Sequence, residues 1–244
     1  MVKTKILFLD VENSPNLAFV WGKYEQNVID YEKEWYMLSF AYKWKDEKTV
    51  KAFKLSDFPT YKKDKTNDKK LLLELWKLLD EADIVIGHNV DRFDVRKTNA
   101  RFLANGISVP SPYKTVDTLK VAKKYFFLNS NKLGDLGKYL KLGSKIDTGG
   151  FDLWLGCMAG DSSSWKKMVE YNKNDIVLLE KVYETLKPWM TNHPNVNVLS
   201  GRPNACPTCG SPRIHGRGYG IAGGRKKQKF QCQNCSCWFM GKVI

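Results

Sequence analysis

Long hydrophobic runs are absent from this chain of 244 residues. A helix that crosses a membrane needs about 20 apolar residues in succession, and no stretch of the sequence approaches that length. The first apolar run, residues 6–9, is interrupted by Asp10 and is too short for the core of a secretory signal peptide. We therefore expect neither secretion nor membrane insertion, but a cytoplasmic protein (in the host cytoplasm, if the protein is viral).

Acidic residues are absent from the segment 201–244, which contains eight Lys or Arg. The whole chain has 40 bases and 26 acids, a net charge of +14, so more than half of the excess lies in this segment. A polyanionic partner is the leading physical reason for such a concentration of one sign. A solubilising tail is the alternative, but four cysteines in paired spacing and several aromatic residues are unlike a disordered tail.

The rest of the sequence alternates between short apolar runs and helical patterns, and 43% of all residues are hydrophobic, enough for a folded core. Runs typical of strands occupy 5–11, 36–44, 50–55 and 83–87. Helical patterns occupy 71–79, 94–103, 115–126, 132–141 and 162–189. This alternation predicts the α/β class. A stretch rich in Pro and Asn predicts three parts: a domain 1–192, a linker 193–204 and a small module 205–244.

Two carboxylates follow the first predicted strand. Asp10 and Glu12 are two residues apart, and because side chains alternate along a strand, both point to the same face. Two carboxylates that face the same way repel each other unless water or a cation lies between them. Asp-x-Glu is common, however, and by itself it indicates no more than an exposed strand end.

Two further motifs carry acids. Asp94 follows the strand that ends near Gly87 and precedes a predicted helix, where it is either an N-cap or a functional carboxylate. Tyr171 and Asp175 are four residues apart in the last long helix, so they lie on one helical face. That pair alone is as compatible with a surface hydrogen bond as with catalysis.

Together, in this order, the three motifs resemble the DEDD superfamily of 3′–5′ exonucleases, in the subgroup whose third motif carries Tyr. The middle motif, Gly-His-Asn-Val-Asp-Arg-Phe-Asp at 87–94, is most similar to the proofreading domains of family-B DNA polymerases. Val-Asp-Thr-Leu at 116–119 also resembles this superfamily, and Asp-x-Glu-x-Ser-Pro at 10–15 resembles ribonuclease H-like proteins of phages and bacteria. The resemblance covers about residues 5–190 and implies a ribonuclease H-like mixed sheet flanked by helices.

The resemblance also implies the site residues. Two divalent cations, Mg²⁺ or Mn²⁺, would be held by four carboxylates: Asp10, Glu12, Asp94 and Asp175. Asp10 would bridge the two ions, and Tyr171 would orient the attacking water through its hydroxyl. Carboxylate oxygens suit these hard ions, and two ions about 4 Å apart can clamp an in-line phosphoryl displacement.

The middle motif supplies further expectations. Asn89 and Phe93 are expected to contact nucleic acid. Asp94 is the acid of this motif because the family motif ends in Phe-Asp, which leaves Asp91 as a surface or capping residue. His88 is either a phosphate contact or a structural histidine.

Two features near the first motif leave alternatives open. Asn13 stands where many relatives carry Thr, a position that approaches the terminal nucleotide. Residues 14–21 are unusually apolar for a loop. They either wedge against the terminal base, as in relatives, or pack on the core through Phe19 and Trp21.

Four cysteines form two C-x-x-C pairs, Cys206 with Cys209 and Cys232 with Cys235. This spacing is typical of one Zn²⁺ held by four thiolates. Disulfides are disfavoured because no secretion signal accompanies the cysteines. Cys237 competes with Cys235 as the fourth ligand, although its spacing is less usual.

The C-terminal segment resembles the zinc ribbons of insertion-element transposases, with Cys-Pro-x-Cys-Gly-Ser, a basic Gly-rich hairpin, and then Phe-x-Cys-x-x-Cys and Trp-Phe. Six of its bases are expected to grip phosphates: Arg213, Arg217, Arg225, Lys226, Lys227 and Lys229. Phe230 and Trp238 either pack in a small core or stack on unpaired bases. A ribbon can also bind protein, but the charge favours nucleic acid.

The sequence thus predicts a metal-dependent 3′–5′ exonuclease, with DNA favoured over RNA, whose zinc ribbon holds the substrate during DNA replication, repair or degradation. Three alternatives stay open: an exoribonuclease with the same site, an endonuclease on the same fold, and a non-catalytic recruitment protein. The presence of all four acids and of Tyr171 argues against the last alternative.

Overall fold

The computed structural model describes residues 3–24, 27–199, 201 and 204–243. Its strands are β1 (Ile6–Asn13), β2 (Leu17–Phe19), β3 (Asp30–Lys33), β4 (Met37–Trp44), β5 (Lys51–Lys54), β6 (Ile84–Gly87), β7 (Lys114–Asp117), β8 (Ile214–Ala222), β9 (Arg225–Cys232) and β10 (Trp238–Val243). Its α-helices are α1 (Lys69–Glu81), α2 (Asp94–Ala104), α3 (Thr118–Tyr125), α4 (Leu133–Tyr139), α5 (Asp152–Ala159) and α6 (Ser162–Leu186).

A five-stranded mixed sheet forms the body, in the order β5-β4-β1-β6-β7. The central strand β1 runs antiparallel to β4 and parallel to β6, and β7 extends the parallel side at the edge. The carboxyl ends of β1, β6 and β7 therefore lie at one end of the sheet. The first motif, with Asp10 and Glu12, lies at the end of β1, and the second motif, 87–94, begins at the end of β6.

Helices cover both faces of the sheet. The odd-numbered side chains 7, 9 and 11 of β1 are buried in a core with residues of α1 and α5. The even-numbered side chains 6 and 8 are buried in a second core with residues of α3, α4 and α6. Burial on both faces explains why β1 begins with an uninterrupted apolar run. Asp10 and Glu12 continue the even-numbered series, so they lie on the face that α6 covers.

The predicted α/β class, with a mixed sheet flanked by helices, is confirmed. The predicted helix over 115–126 is wrong at its start, because Lys114–Asp117 form the edge strand β7 and α3 begins at Thr118. The side chain of Asp117 accepts hydrogen bonds from the backbone N–H groups of Leu119 and Lys120. This cap satisfies the first turn of α3 immediately after the strand.

Three elements have no counterpart in the sequence predictions. Strands β2 and β3 pair as a hairpin directly after β1, and α5 packs on α6.

The long helix α6 ends earlier than predicted, at Leu186, and the chain continues as a 3₁₀ turn over Lys187–Trp189. Pro188 lacks the N–H group that a continuing helix needs.

A separate three-stranded antiparallel sheet, in the order β10-β9-β8, forms the C-terminal module. Val196, within the predicted linker 193–204, contacts both parts of the chain. The hydroxyl of Thr4 donates to the carbonyl of Val196 over 2.8 Å, and the N–H of Val196 donates to the carbonyl of Pro207 over 2.8 Å. Among the described residues, none of the helices is both long and apolar enough to cross a membrane.

Candidate active site and metal centres

Three carboxylates converge at the end of β1. Asp10 and Glu12 share the face of the sheet that α6 covers, and Asp175 projects from the buried side of α6. One carboxylate oxygen from each of the three lies within 4.8 Å of the other two. The pattern of alternating side chains in β1 and one helical turn of α6 therefore produces a cluster from residues 165 positions apart in sequence.

Asp94 lies beside this cluster, in the first turn of α2. Its Oδ1 accepts a hydrogen bond from the backbone N–H of Val11 over 3.0 Å, which ties it to the strand between the first two acids. The N-cap of α2 is Phe93 rather than Asp94. The capping interpretation of Asp94 is therefore wrong, and its buried carboxylate faces β1.

The electrostatics of the cluster favour a bound cation. Burial, followed by the charges of Glu12, Asp94 and Asp175, raises the pKa of Asp10 well above its usual value. Burial and then the Asp175 charge raise the pKa of Glu12 to about 8, and burial raises the pKa of Asp94 to about 7. Carboxyl groups that resist ionisation in this way are stabilised in the ionised form by a nearby positive charge.

One oxygen of the cluster is available for a further ligand. Oδ1 of Asp175 is buried and has no hydrogen-bond partner, which is costly for a carboxylate. Hard divalent cations prefer oxygen ligands of this kind. The residues present therefore fit a divalent metal ion.

Lys145 is a site residue that the sequence analysis missed. Its Nζ donates to Oδ2 of Asp175 over 2.5 Å and to the hydroxyl of Tyr171 over 2.9 Å. Burial alone lowers the pKa of Lys145, but the Asp175 carboxylate and the two hydrogen bonds outweigh it and raise the pKa. No sequence signal marks Lys145, since it is one of two lysines in the loop between α4 and α5.

Two further side chains position the acids and were also missed. Asn172 donates to Oδ2 of Asp10 over 2.6 Å and accepts from the hydroxyl of Ser39 over 3.1 Å. Trp154, from the unpredicted helix α5, lies beside Glu12 and packs edge-on against Tyr171 with ring centroids 6.1 Å apart. Asn172 lies within the third motif, directly after Tyr171, which is the one signal that could have drawn attention to it.

The middle motif divides into structural and exposed residues. The ring nitrogens of His88 both have partners, the hydroxyl of Thr118 and the carbonyl of Asn131, each at 2.9 Å. His88 is therefore a structural histidine here, and burial lowers its pKa. Asp91 forms an ion pair with Lys120, as its interpretation as a surface residue predicts.

The two predicted nucleic-acid contacts of this motif lie near the acids. Asn89 adopts a left-handed backbone conformation (φ 68°), and its N–H donates to Oδ1 of Asp117 over 2.9 Å. Phe93 is 40% exposed and lines a cleft of about 540 Å³. Asn13 also lines this cleft, and both polar atoms of its side-chain amide are buried without a partner.

The apolar segment 14–21 does not pack on the core through its aromatic residues. Leu17–Phe19 form β2, and Phe19 and Trp21 are 56% and 86% exposed. The packing alternative is therefore wrong for both side chains. The other alternative, that these side chains contact the terminal base, stays a prediction.

The four predicted zinc ligands lie together. The sulfurs of Cys206 and Cys235 are 3.6 Å apart, as are those of Cys209 and Cys232, and all four sulfurs lie within 4.8 Å of one another. The Sγ of Cys237 instead donates to the carbonyl of Lys187 over 3.1 Å. The geometry favours Cys235 over Cys237 as the fourth member of the group.

Comparisons with known proteins agree with this architecture. The family model described as the RNase_H superfamily matches residues 7–187, and no curated protein matches the chain. Among solved structures, the family B DNA polymerase from the hyperthermophilic archaeon Pyrobaculum calidifontis is similar over 76% of this chain, with 14% identity and a TM-score of 0.57. The chain spans 25% of the length of that polymerase.

At 14% identity the polymerase shows a shared fold, and the expected ribonuclease H-like sheet is confirmed. The three-stranded C-terminal sheet with its cysteine cluster fits a small zinc ribbon. The fold and its acidic cluster support a nuclease activity on nucleic acid. Since the family model covers residues 7–187, this chain belongs to the RNase_H superfamily.

Proposed function

We propose that this protein is a metal-dependent 3′–5′ exonuclease that hydrolyses phosphodiester bonds, with DNA as the favoured substrate. The observation that carries the proposal is the convergence of Asp10, Glu12 and Asp175 within 4.8 Å, with buried Asp94 alongside. Tyr171 lies one helical turn from Asp175 and completes the set of residues expected from the three motifs.

Two Mg²⁺ or Mn²⁺ ions would be held by the oxygens of Asp10, Glu12, Asp94 and Asp175. When bound, such ions lower the pKa of a water molecule and stabilise the departing 3′ oxygen. The chain's own contribution is a set of oxygen ligands held in place before the metal arrives. The hydrogen bonds from Asn172 to Asp10 and from Val11 to Asp94 provide that placement.

Tyr171 is suited to orient the attacking water. Its hydroxyl accepts from Lys145, so its own proton can be donated to a second oxygen, and the Asp175 carboxylate and an attacking water are the two candidates. A hydroxyl group that donates to a water fixes the direction of the water's lone pairs. Lys145 additionally balances part of the negative charge through Oδ2 of Asp175, while Oδ1 stays available to a metal.

The cleft beside the acids is suited to the terminal nucleotide. Phe93, Phe151 and Trp154 offer aromatic surface, the unpartnered amide of Asn13 offers hydrogen bonds, and Lys97 offers a positive charge. Base–aromatic stacking is sequence-tolerant, as a nuclease that removes any nucleotide requires. The preference for DNA rests on the similarity of the middle motif to proofreading domains.

One Zn²⁺, bound by Cys206, Cys209, Cys232 and Cys235, would stabilise the ribbon, and the basic ribbon would hold nucleic acid. A role in DNA replication, repair or degradation in the cytoplasm is part of the same proposal. The exoribonuclease alternative uses the same acids, because the chemistry takes place at the phosphate and the selectivity lies in contacts to the sugar.

The polarity of cleavage is the sharpest test of this function. Single-stranded DNA and RNA of one sequence, labelled at the 5′ end or at the 3′ end, are digested in Mg²⁺ and in Mn²⁺. We expect 5′-labelled DNA to shorten in single steps, while 3′-labelled DNA releases its label as a mononucleotide at once. Internal cuts would indicate an endonuclease, and faster loss of RNA would indicate an exoribonuclease.

A further inference from the structure

The sheet of the zinc ribbon has two chemically different faces. Residues of β9 alternate between them, and partners directly across the strands share a face. Lys229 lies opposite Met240, and Gln231 lies opposite both His215 and Trp238. Arg225 and Lys227 belong to the same odd-numbered series. We call this the odd face, and its members are Arg225, Lys227, Lys229, Gln231, His215, Trp238 and Met240.

The other face, the even face, contains the small core of the ribbon. Phe230 and Phe239 stack with their ring centroids 5.5 Å apart, and Cys232 continues the series into the metal-binding group. Further along β9, Lys226 lies over the ring of Tyr219 at 4.3 Å. The positive charge of Lys226 is therefore held against an aromatic ring on the face opposite to Lys227.

The odd face combines unpaired cations with an exposed indole. Trp238 is 51% exposed, so the packing alternative for this residue does not hold, whereas Phe230 packs against Phe239. Among the described residues, no salt bridge involves Arg225, Lys227 or Lys229. No acid exists anywhere in 201–244 to neutralise them. A row of cations beside an aromatic face is the chemistry that binds single-stranded nucleic acid.

The ribbon is attached far from the carboxylates. Cys237 contacts the carbonyl of Lys187, which lies 12 residues beyond Asp175, or about 18 Å along a helix. Val196, which contacts Pro207 next to the ribbon cysteines, also contacts Thr4 just before β1. Thr4 lies six residues before Asp10, or about 20 Å along an extended chain. The two paths agree that the ribbon is attached at the end of the body opposite to the acids.

We infer that the odd face of the ribbon binds a single-stranded segment of the substrate away from the end being cut, at about the six-nucleotide separation that the attachment of the ribbon sets. Twenty ångströms correspond to about six nucleotides at the 3.4 Å spacing of a stacked strand. This inference rests on the proposed function and adds the face, the strand type and the distance. A substrate shorter than this length occupies the carboxylate end without reaching the ribbon.

Two adjacent lysines provide a matched pair of variants. Lys227→Glu changes the odd face, whereas Lys226→Glu makes the same change one residue away on the even face. Binding is measured by fluorescence anisotropy with single-stranded DNA of 4 and 24 nucleotides, in an Asp10→Asn background that prevents digestion. The zinc content of each variant verifies that the ribbon is folded, and Lys229→Glu serves as a second odd-face variant.

We expect Lys227→Glu to weaken binding of the 24-nucleotide strand by about tenfold or more and to reduce its salt slope by at least one. Lys226→Glu changes a residue that is also expected to contact phosphates, but its charge is held against Tyr219, so it should weaken this affinity several-fold less than Lys227→Glu. Neither variant should affect the 4-nucleotide strand. Trp238→Ala should weaken binding of the long single strand but not of a duplex of equal length.

Equal losses in Lys226→Glu and Lys227→Glu would overturn the assignment of the face. A loss of affinity that is the same for the 4- and 24-nucleotide strands would overturn the inferred distance between the ribbon contact and the end being cut. Cleavage assays on the protein that retains Asp10 distinguish the inferred ribbon contact from the proposed exonuclease activity. If the odd face binds DNA while no substrate is cleaved, the inference stands and the proposed exonuclease fails, whereas normal cleavage with unaltered binding in every variant removes the inference alone.

Discussion

The hydroxyl of Tyr171 has one proton, and its neighbours determine where that proton can go. Lys145 has only donors, so the Tyr171 oxygen must accept from it. Burial, followed by the charges of Asp175 and Glu12, raises the pKa of Tyr171, so the hydroxyl keeps its proton at neutral pH. A protonated hydroxyl that already accepts one hydrogen bond can donate to the Asp175 carboxylate beside it or, during catalysis, to an attacking water.

Replacement of Tyr171 by Phe removes this donor while it preserves the packing against Trp154. We expect Tyr171→Phe to slow cleavage about 100-fold, within the range usual for one positioned proton donor, with little change in Mn²⁺ affinity. Single-turnover rates and calorimetric metal titrations measure the two quantities. Tyr139→Phe, at an exposed position on α4, is the control. A rate for Tyr171→Phe equal to that of the control would reduce Tyr171 to a packing residue.

His193 makes the stability of the protein depend on pH. Burial lowers its pKa to about 4, and its Nε2 contacts the hydroxyl of Tyr183 at 2.8 Å. Between pH 6.5 and 4 the unfolded chain binds a proton that the folded chain does not. The contribution of neutral His193 to the free energy of unfolding is therefore fully present above pH 6.5 and is lost as the pH falls from 6.5 to 4.

In His193→Gln, the free energy of unfolding should decrease less steeply between pH 7 and pH 4.5 than in the parent. The expected difference in this decrease is roughly 1 to 3 kcal/mol, from about 1.4 kcal/mol for each unit of pKa. Denaturant titrations at each pH measure it, with His215→Gln in the ribbon as the control. Parallel curves for the parent and His193→Gln would contradict the account.

For individual residues, sequence patterns predicted the four carboxylates of the site but not the side chains that support them. Asp10 and Glu12 are identified by strand alternation, and Asp94 and Asp175 by their place in motifs with a fixed order. Lys145 and Asn172 act through contacts made only after folding, with partners 30 and 162 positions away. Nothing in the local sequence distinguishes Lys145 from other loop lysines, so the tertiary structure was needed to find it.

Among the elements, boundaries between strand and helix were the weakest predictions. The helical pattern over 115–126 conceals a four-residue strand, because β7 is too short to establish an alternating pattern of its own. The hairpin β2–β3 was missed for a related reason: its side chains are largely exposed and show no buried face. The long elements β1, β4 and α6, which have buried faces, were predicted close to their observed positions.

The contact between α4 and α6 offers a test of how helix packing supports the site. A Cβ atom added at Gly137 would lie 2.7 Å from a methyl group of Leu178 and 2.8 Å from the carbonyl oxygen of Gly143. We expect Gly137→Ala to destabilise the protein by about 1 to 3 kcal/mol, because α6 must shift away from α4. Thermal unfolding measures this loss.

Gly22→Ala is the matched control, because a Cβ atom there would meet nothing within 4 Å. This variant should unfold at nearly the parent temperature, as usual for a surface change. A Gly137→Ala protein as stable as Gly22→Ala would mean that the two helices are less closely packed than the structure indicates.

The whole molecule combines a body that has a large hydrophobic core with a ribbon that has a very small one. The ribbon core consists of the cysteine group with a few partly buried side chains, whereas the body has two extensive cores on the two faces of its sheet. A module with so little apolar burial would obtain most of its folding free energy from a bound Zn²⁺.

Removal of zinc by a chelator should therefore unfold the ribbon and leave the body folded. Hydrogen exchange followed by mass spectrometry should show loss of protection in β8, β9 and β10, with unchanged protection in β1 and α6. The same experiment on Cys209→Ser should give the same pattern without a chelator. Loss of protection throughout the body would contradict the separation.

The proposed exonuclease depends on a buried carboxylate cluster, completed by Asp94, that would hydrolyse phosphodiester bonds with divalent metal. Asp91 and Asp94 belong to the same motif, but Asp91 pairs with Lys120 at the surface and Asp94 is buried beside β1. The most direct measurement is the Mg²⁺-dependent cleavage rate of 5′-labelled single-stranded DNA by Asp94→Asn and Asp91→Asn. We expect at least about a 100-fold loss in Asp94→Asn and a rate near that of the parent in Asp91→Asn. Equal rates in the two variants would contradict the proposal.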